Sequence, residues 1–324
     1  KVTPGGNSIF PPKRQTLNHK TDMAYNVSSL PAYVQDNHDL LVKNFALVGG
    51  GTRSRISIQT GIKQNAHINL LNLTPTLQSG AACNFTAAGD AVFSNRLLET
   101  AQIKVNMEFC EKTLLGKYAE YLVKVNAVDN PFPFEEYIAN ALTDELNKKI
   151  EKLIWQGDKT THSTDSDLKW IDGFLHILTA EGVNAEGTFK TAYDAILGVY
   201  NALPEEVLER GAEIYVSPAV FREFMQAMVA KNYFNYNPGN QEFGEFLLPG
   251  SDAKIVRTQG LAGSKVVVGT FAQNLVYGCD MENDEEKFDI WFSQDNRTWR
   301  VAVEWNSGVQ IAFPDMAVYA SITA

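Results

Sequence analysis

Between Phe134 and Gln156 apolar residues return every three or four positions: Phe134, Ile138, Leu142, Leu146, Ile150 and Leu153. That spacing puts them on one face of an α-helix. Pro131 and Pro133, followed by Glu135 and Glu136, mark its start, and Lys148, Lys149 and Lys152 fall toward the end where the helix dipole favours cations. At about 1.5 Å per residue the helix is on the order of 34 Å long, enough to cross a domain as a strut.

The hundred residues before the strut have a different pattern. Residues 1–50 show no sustained period, and Pro4, Gly5, Gly6, Pro11, Pro12 and Pro31 interrupt helix and central strand alike. Ordering them costs about 1–2 kcal/mol of backbone entropy each, with little apolar surface to offset it. The stretch therefore reads as an arm, either disordered or laid across a neighbour, ending at a Gly49-Gly50-Gly51 hinge. Alternation of period two follows at Arg53, Arg55 and Ser57 against Ile56 and Ile58, and again at Ile103, Val105, Met107 and Phe109. A polar middle, LTPTLQSGAACNFTAAGD, separates them, which predicts a long hairpin with those two runs as its strands. A two-stranded hairpin is marginal alone. The first third thus reads as short of interior, and the chain as one that completes its structure with copies of itself.

Beyond the strut the periods mix. Helices are predicted over 189–203, from Pro204-Glu205-Glu206, and after a Ser217-Pro218 cap through Val220, Phe221, Phe224, Met225, Met228 and Val229. Strands are predicted at Ala212–Val216, Ile255–Thr258, Lys265–Thr270, Phe288–Phe292, Trp299–Trp305 and Val309–Phe313. There is no regular βαβ alternation, so the class is α+β or mixed α/β.

Composition narrows the function more than the fold. The 324 residues are 44% hydrophobic and 20% charged, and no run approaches the 18 apolar residues of a membrane span. The first fifteen residues are basic but lack an apolar core, unlike a secretory signal. A net charge of −10 with no Lys/Arg cluster argues against a protein that reads DNA. Cys83, Cys110 and Cys279 are odd in number and widely spaced, so they read as reduced, mostly buried thiols. The Asn-x-Ser/Thr triplets at Asn26, Asn72, Asn84 and Asn296 read as chance.

Candidate chemistry is thin. Gly260-Leu-Ala-Gly263-Ser-Lys265 lacks the spacing of a phosphate loop and reads as a turn between strands. Asp280, Glu282, Asp284, Glu285 and Glu286 lack the pattern of a calcium loop and read as a solvated turn, as do Asp158, Asp165 and Asp167. The five histidines, His19, His38, His67, His162 and His176, form no HExxH pair, and no GxSxG elbow occurs. No catalytic, cofactor or metal residues are assigned. Trp291, Phe292, Trp299, Trp305 and Phe313 read as core or subunit contact rather than a stacking platform. Arg300 and Glu304 share a strand face and are expected to pair across it or with a neighbour.

The order of these parts resembles the major capsid protein of tailed bacteriophages, the Hong Kong 97 fold. FEEYIANALTDELNKKIEKLIWQGD with IDGFLHIL resembles the family's spine helix and the stretch after it. AEIYVSPAVFREF is similar to the strand, Ser-Pro and helix of its axial domain, and VVVGTFAQNLVYG with RVAVEWNSGVQIAFPDMAV to its closing strands. LLPGSDAKIVRTQGL and FDIWFSQDNRTWRV look most like phages of Bacteroidetes, including crAss-like ones. The resemblance implies an N-terminal arm (1–51), an extended hairpin loop (52–109), a peripheral domain (110–187) with spine helix 134–156, an axial domain (188–280) and closing strands (281–324). It implies a non-enzymatic shell of pentamers and hexamers around double-stranded DNA, assembled in the bacterial cytoplasm. The implied partners are copies of itself, portal, and scaffolding or decoration proteins, with no membrane. Subunit contacts are expected at Arg53, Arg55, Lys63, Phe85, Phe93, Trp291, Trp299, Arg300 and Glu304. Lys63 is the only lysine between Lys43 and Lys104, and no acidic catalyst is assignable, so the family's inter-subunit isopeptide bond is not expected. A start at Lys1 without Met fits removal of a scaffolding segment by a phage protease, and equally a chain that begins earlier. An encapsulin-like compartment is the rival on the same fold, and a soluble binding module or enzyme the rival of another class.

Overall fold

The computed structural model describes residues 51–78, 88–110, 134–161, 167–231, 245–280 and 287–323. The arm at 1–50 lies outside them. The strut is helix α1, Phe134–Gln156, with the bounds its periodicity predicts. Leu146, Ile150, Leu153, Ile154 and Trp155 are buried, so the apolar face widens toward the C-terminal end, where α1 enters the main core.

Two sheets flank that end. The first contains β1 (Ser57–Gln59), β4 (Ala101–Cys110), β10 (Leu275–Cys279), β11 (Lys287–Ser293) and β12 (Thr298–Ile311). β12 is its axis, antiparallel to β11 and then β10 on one side and to β4 on the other, while β1 runs parallel to β10. Trp299, Val301, Val303 and Trp305 alternate inward from β12 into the core shared with α1, as period two requires. The second sheet is mixed, in the order β5 (Val183–Asn184), β13 (Val318–Ser321), β9 (Val266–Phe271), β6 (Ala212–Val216), β8 (Lys254–Arg257), β7 (Glu245–Leu247).

Helix α2 (Phe174–Glu181) packs beside α1, with α3 (Ala192–Ala202) and α5 (Pro218–Ala230) on the far face of the second sheet and α4 (Glu205–Glu209) between them in sequence. β6 shows how the layers divide: Ala212, Ile214 and Val216 face the α3/α5 core, while Tyr215 faces Trp155 of α1.

Local signals explain the boundaries. Ser217 accepts from Val220 N, with Pro218 in the first turn of α5, as the capping pattern predicts. Helix α3 starts later than the predicted residue 189, because Thr191 caps it by accepting from Asp194 N. Phe189 instead forms a bridge to Ile322 and lies against Gly198, where a Cβ would come within 2.2 Å of its ring. The Gly260–Lys265 stretch is the expected connection between strands β8 and β9. The strands expected separately at 299–305 and 309–313 are the single β12. Asn306 to Gly308 continue its ladder rather than breaking it.

The hairpin differs most from expectation. The runs around Arg53–Ser57 and Ile103–Phe109 are not partners: Ser57–Gln59 pairs with β10, and Ala101–Cys110 with β12. The hairpin is made of the intervening residues, β2 (Asn65–Pro75) paired with β3 (Gly89–Glu99) from Asn65↔Glu99 to Pro75↔Gly89. Nor is the region before α1 without interior. Thr52, Arg53, Ile56, Ile62, Ile68, Leu98 and Ile103 are buried in this one chain. Ile62, Ile68 and Leu98 form a small core with Val276 and Ala312, so the hairpin's inner half is supported by the body. Only its outer half fits the expectation.

Gly308 marks the closest approach of hairpin to body, since a Cβ there would sit 2.1 Å from the Glu99 carbonyl oxygen. Gly308→Ala must displace the hairpin base. A loss of about 1–3 kcal/mol is expected, the usual cost of overpacking, and urea denaturation of the purified variant measures it.

Candidate assembly surface

The outer hairpin presents an apolar stripe with no cover in this chain among the described residues. Side chains on a strand alternate between faces, so the register Leu71↔Phe93, Leu73↔Ala91 and His67↔Leu97 gathers Leu71, Leu73, Phe93 and Leu97 on one face. All are exposed, Phe93 to 78% and Leu73 to 57%. Ile68 and Leu98, on the opposite face, are buried against the body. The hairpin is thus apolar on both faces, and among the described residues only the inner part of one is used. Leu77 beyond the stripe is 98% exposed.

Polar contacts hold the hairpin base. Arg96 is hydrogen-bonded to Glu181 at the end of α2 and donates to Gln310 Oε1 at 3.2 Å, while Gln310 Nε2 donates to the Leu97 carbonyl at 2.7 Å. Lys159 bridges Glu99 (3.2 Å) and Asp172 (3.6 Å). Helix α2 is therefore tied to the hairpin near both its ends. A polar cleft of about 950 Å³ opens beside this base, lined by residues including Lys63, Gln64, Gln102, Glu304 and Asn306.

On the first sheet Met107, Trp291 and Phe292 are between 37% and 45% exposed, Trp291 on one face and Met107 and Phe292 on the other, the side of Val301 and Trp299. Trp291 is the register partner of Arg300, which in turn lies opposite Glu108. A recess of about 350 Å³ runs between Asn106, Met107, Glu108, Trp291 and Arg300. Trp299 and Trp305 are core, as the aromatic pattern allows.

The expected contact residues divide accordingly. Phe93, Trp291 and Lys63 are exposed, and Arg300 and Glu304 half-buried. Arg300 Nε faces Glu108 at 3.8 Å, across the sheet, and Glu304 sits opposite Lys104. Arg53 and Trp299 are buried within the chain, and Arg55 pairs with Glu213 at 3.1 Å. Period two placed Arg53 and Arg55 on a strand, but residues 51–56 form a turn that directs their charges inward. Phe85 lies outside the described residues, as do Cys83, Asp165 and 281–286. Of the other cysteines, Cys279 is buried as expected and Cys110 is exposed. Leu71, Leu73 and Leu97 are not among the contacts expected from the sequence. Their alternation is legible once Asn69, Asn72 and Asn95 are accepted within strands, despite asparagine's low strand propensity.

At the end of α1, Asp158 is more than a solvated loop residue. Its Oδ1 accepts from Thr160 N and Oγ1 and from Thr161 N, while Oδ2 lies 3.3 Å from His176 Nδ1. Asp158, Asp172 and His176 converge to within 4.8 Å, and Lys159 supplies a cation there from the chain itself. Hydrogen bonding from the Thr161 side chain, then from Thr160, holds the Asp158 carboxyl well below the usual carboxylate range. A folded-state pKa below the unfolded value near 3.9 stabilises the fold above that pH, and the stabilisation is lost as pH falls beneath it. Thermal melts from pH 6 to 2.5 are expected to show a shallower acid decline for Asp158→Asn than for the wild type.

No family model matches the sequence, and no curated protein matches it. Solved structures match it in shape. A chain of Gordonia phage Cozz superposes with a TM-score of 0.57 at 13% identity, covering 85% of this chain and 88% of that one. A chain of the satellite phage P4 procapsid, solved with the size determination (Sid) protein, gives 0.57 at 12% identity, covering 89% and 99%. The capsid of Ralstonia phage GP4 gives 0.53 at 9% identity, covering 83% and 87%. At such identities the likeness is one of fold. The chain has a mixed α+β fold shared with phage capsid structures.

Proposed function

We propose that this chain is the major capsid protein of a tailed bacteriophage, a structural subunit that assembles with itself into a closed shell. The observation carrying this reading is the hairpin stripe: among the described residues, Leu71, Leu73, Phe93 and Leu97 stay exposed on an element anchored only at its base. Burying such a side chain is worth about 1.5–3 kcal/mol, and a neighbouring copy supplies the cover. The contact is heterologous, since the hairpin of one copy meets a different surface of the next, and such contacts close into rings when the rotation permits. The capsid folds found among its structural neighbours support the same reading.

In this proposal the chain has the Hong Kong 97 arrangement. The arm (1–51) and hairpin loop (52–109) lie over adjacent subunits, the peripheral region (110–187) carries wall load through α1, and the axial domain (188–280) surrounds the centres of pentamers and hexamers. Strands 281–324 close the structure. The face carrying Trp291 and Arg300, with Lys63 and Glu304 by the cleft, supplies further subunit contact. The shell encloses double-stranded DNA without reading its sequence, and small cations neutralise the genome, which the acidic balance of −10 accommodates. Portal, scaffolding and decoration proteins are its partners, the host is a bacterium, of the Bacteroidetes on the sequence resemblance, and the chain catalyses no reaction.

Electron microscopy of the expressed chain, alone and with a scaffolding protein, tests this. Closed icosahedral particles are expected, and a monomer that persists under every assembly condition contradicts the proposal. Shells filled with cargo protein and free of nucleic acid would assign the same fold to an encapsulin-like compartment.

A further inference from the structure

The three-residue strand β1 is poorly specified by its own sequence. All three of its residues are half-buried, so hydrophobic patterning fixes its register on β10 weakly, and a one-residue slip would move it by about 3.3 Å and turn its side chains over. Yet this strand leads, after five intervening residues, into the hairpin at Asn65.

Besides the buried Ile56 and Ile62 that flank it, it is held by a buried hydrogen-bond chain with one direction. Trp155 Nε1 donates to Thr52 Oγ1 at 2.8 Å, Thr52 Oγ1 lies 2.8 Å from Thr258 Oγ1, and Thr258 Oγ1 donates to Glu151 Oε1 at 3.0 Å. An indole N–H only donates and a carboxylate only accepts. Each hydroxyl therefore accepts from one side and donates to the other, and Thr52 is the donor to Thr258. Glu151 Oε1 also accepts from Thr52 N at 2.9 Å. Beside it, Arg53 lies 3.9 Å from Glu151 Oε2 and donates to Asn147 Oδ1 at 2.9 Å. Thr52, Arg53, Glu151, Trp155 and Thr258 are all buried. The chain thus joins the turn before β1, helix α1 and the loop after β8, segments about a hundred residues apart in sequence.

Buried polar groups of this kind add little net stability over apolar packing, and their best-attested use is to select one arrangement. We propose that this chain is a positioning latch. Glu151, which accepts from Thr52 and Thr258 and lies beside the buried Arg53, fixes where residues 52–59 lie on α1 and so where the hairpin leaves the body. The inference deepens the shell proposal by naming what aims the hairpin, but it is tested on the isolated chain, so the two fail separately.

Amide exchange at Ser57–Gln59 is the readout. Glu151→Ala and Thr52→Val should exchange at least about tenfold faster there than wild type, and Glu151→Gln, which keeps an acceptor but takes the counter-charge from the buried Arg53, should fall between wild type and Glu151→Ala. Val207→Ala, in the separate α3/α5 core, is the control for general loss of stability and is expected to spare Ser57–Gln59 at equal loss of Tm. The latch is overturned if Glu151→Ala and Thr52→Val merely track Val207→Ala. Should Glu151→Ala not fold, Thr52→Val against the same control decides by the same criteria.

Discussion

Phe93→Asp combined with Leu71→Asp is expected to leave the isolated chain folded and to abolish its assembly. The two residues are cross-strand partners on the exposed face of the hairpin, and neither contributes to a buried core in the single chain. Surface substitutions of that kind change stability by about 0.5 kcal/mol or less, so Tm should hold to within about 2 °C. At a subunit contact the same changes remove roughly 3–6 kcal/mol of apolar burial and place two carboxylates where no partner awaits them. Each copy repeats the loss, so particles should be absent by sedimentation velocity at concentrations where the wild type assembles. Val92→Asp supplies a comparison, because Val92 is also exposed but on the opposite face. Normal particles from the double variant would show that the stripe is not the contact.

Trp155→Ala should cause the largest loss of stability of any substitution considered. Trp155 is fully buried where the two sheets and α1 meet. Its ring contacts Phe174 edge-on at 5.3 Å and Tyr215 at 5.2 Å, and its Nε1 donates to Thr52. Gly260 lies so close beneath it that a Cβ would come within 2.2 Å of the indole. Truncating a core tryptophan costs about 3–5 kcal/mol, or on the order of 10 °C in Tm for a chain of this size. Trp155→Phe should recover part of the packing while losing the hydrogen bond. Chemical denaturation of the two variants measures both, and a midpoint unchanged in Trp155→Ala would mean that the sheets are not joined there.

What the sequence made legible follows from how each signal is carried. Helix α1 and the Ser217-Pro218 start of α5 depend on residues adjacent in sequence, so spacing and capping identified them directly. The strands of 212–216 and 254–271 were legible because they are continuous apolar runs bounded by turns. The hairpin was misassigned because its partners are decided by which strand offers a free edge. Ile103–Phe109 alternates well enough to be any strand, and only the length of β12 places it in the central sheet. Arg53 looked like a surface cation because its buried partners Glu151 and Asn147 lie almost a hundred residues away. The exposed hairpin stripe was half legible. Phe93 stood out, whereas Leu71 and Leu73 were hidden among asparagines and threonines whose side chains reveal their face only once the register with β3 is known.

Leu71, Leu73 and Phe93 of the outer hairpin have no cover among the described residues of one chain, and the proposal is that a neighbour supplies it. Hydrogen exchange of residues 69–77 and 89–95, followed in the isolated chain and in assembled material, tests it most directly. Fast exchange in the isolated chain and strong protection after assembly is the expected result. Protection of those amides already complete in a solitary molecule would contradict it.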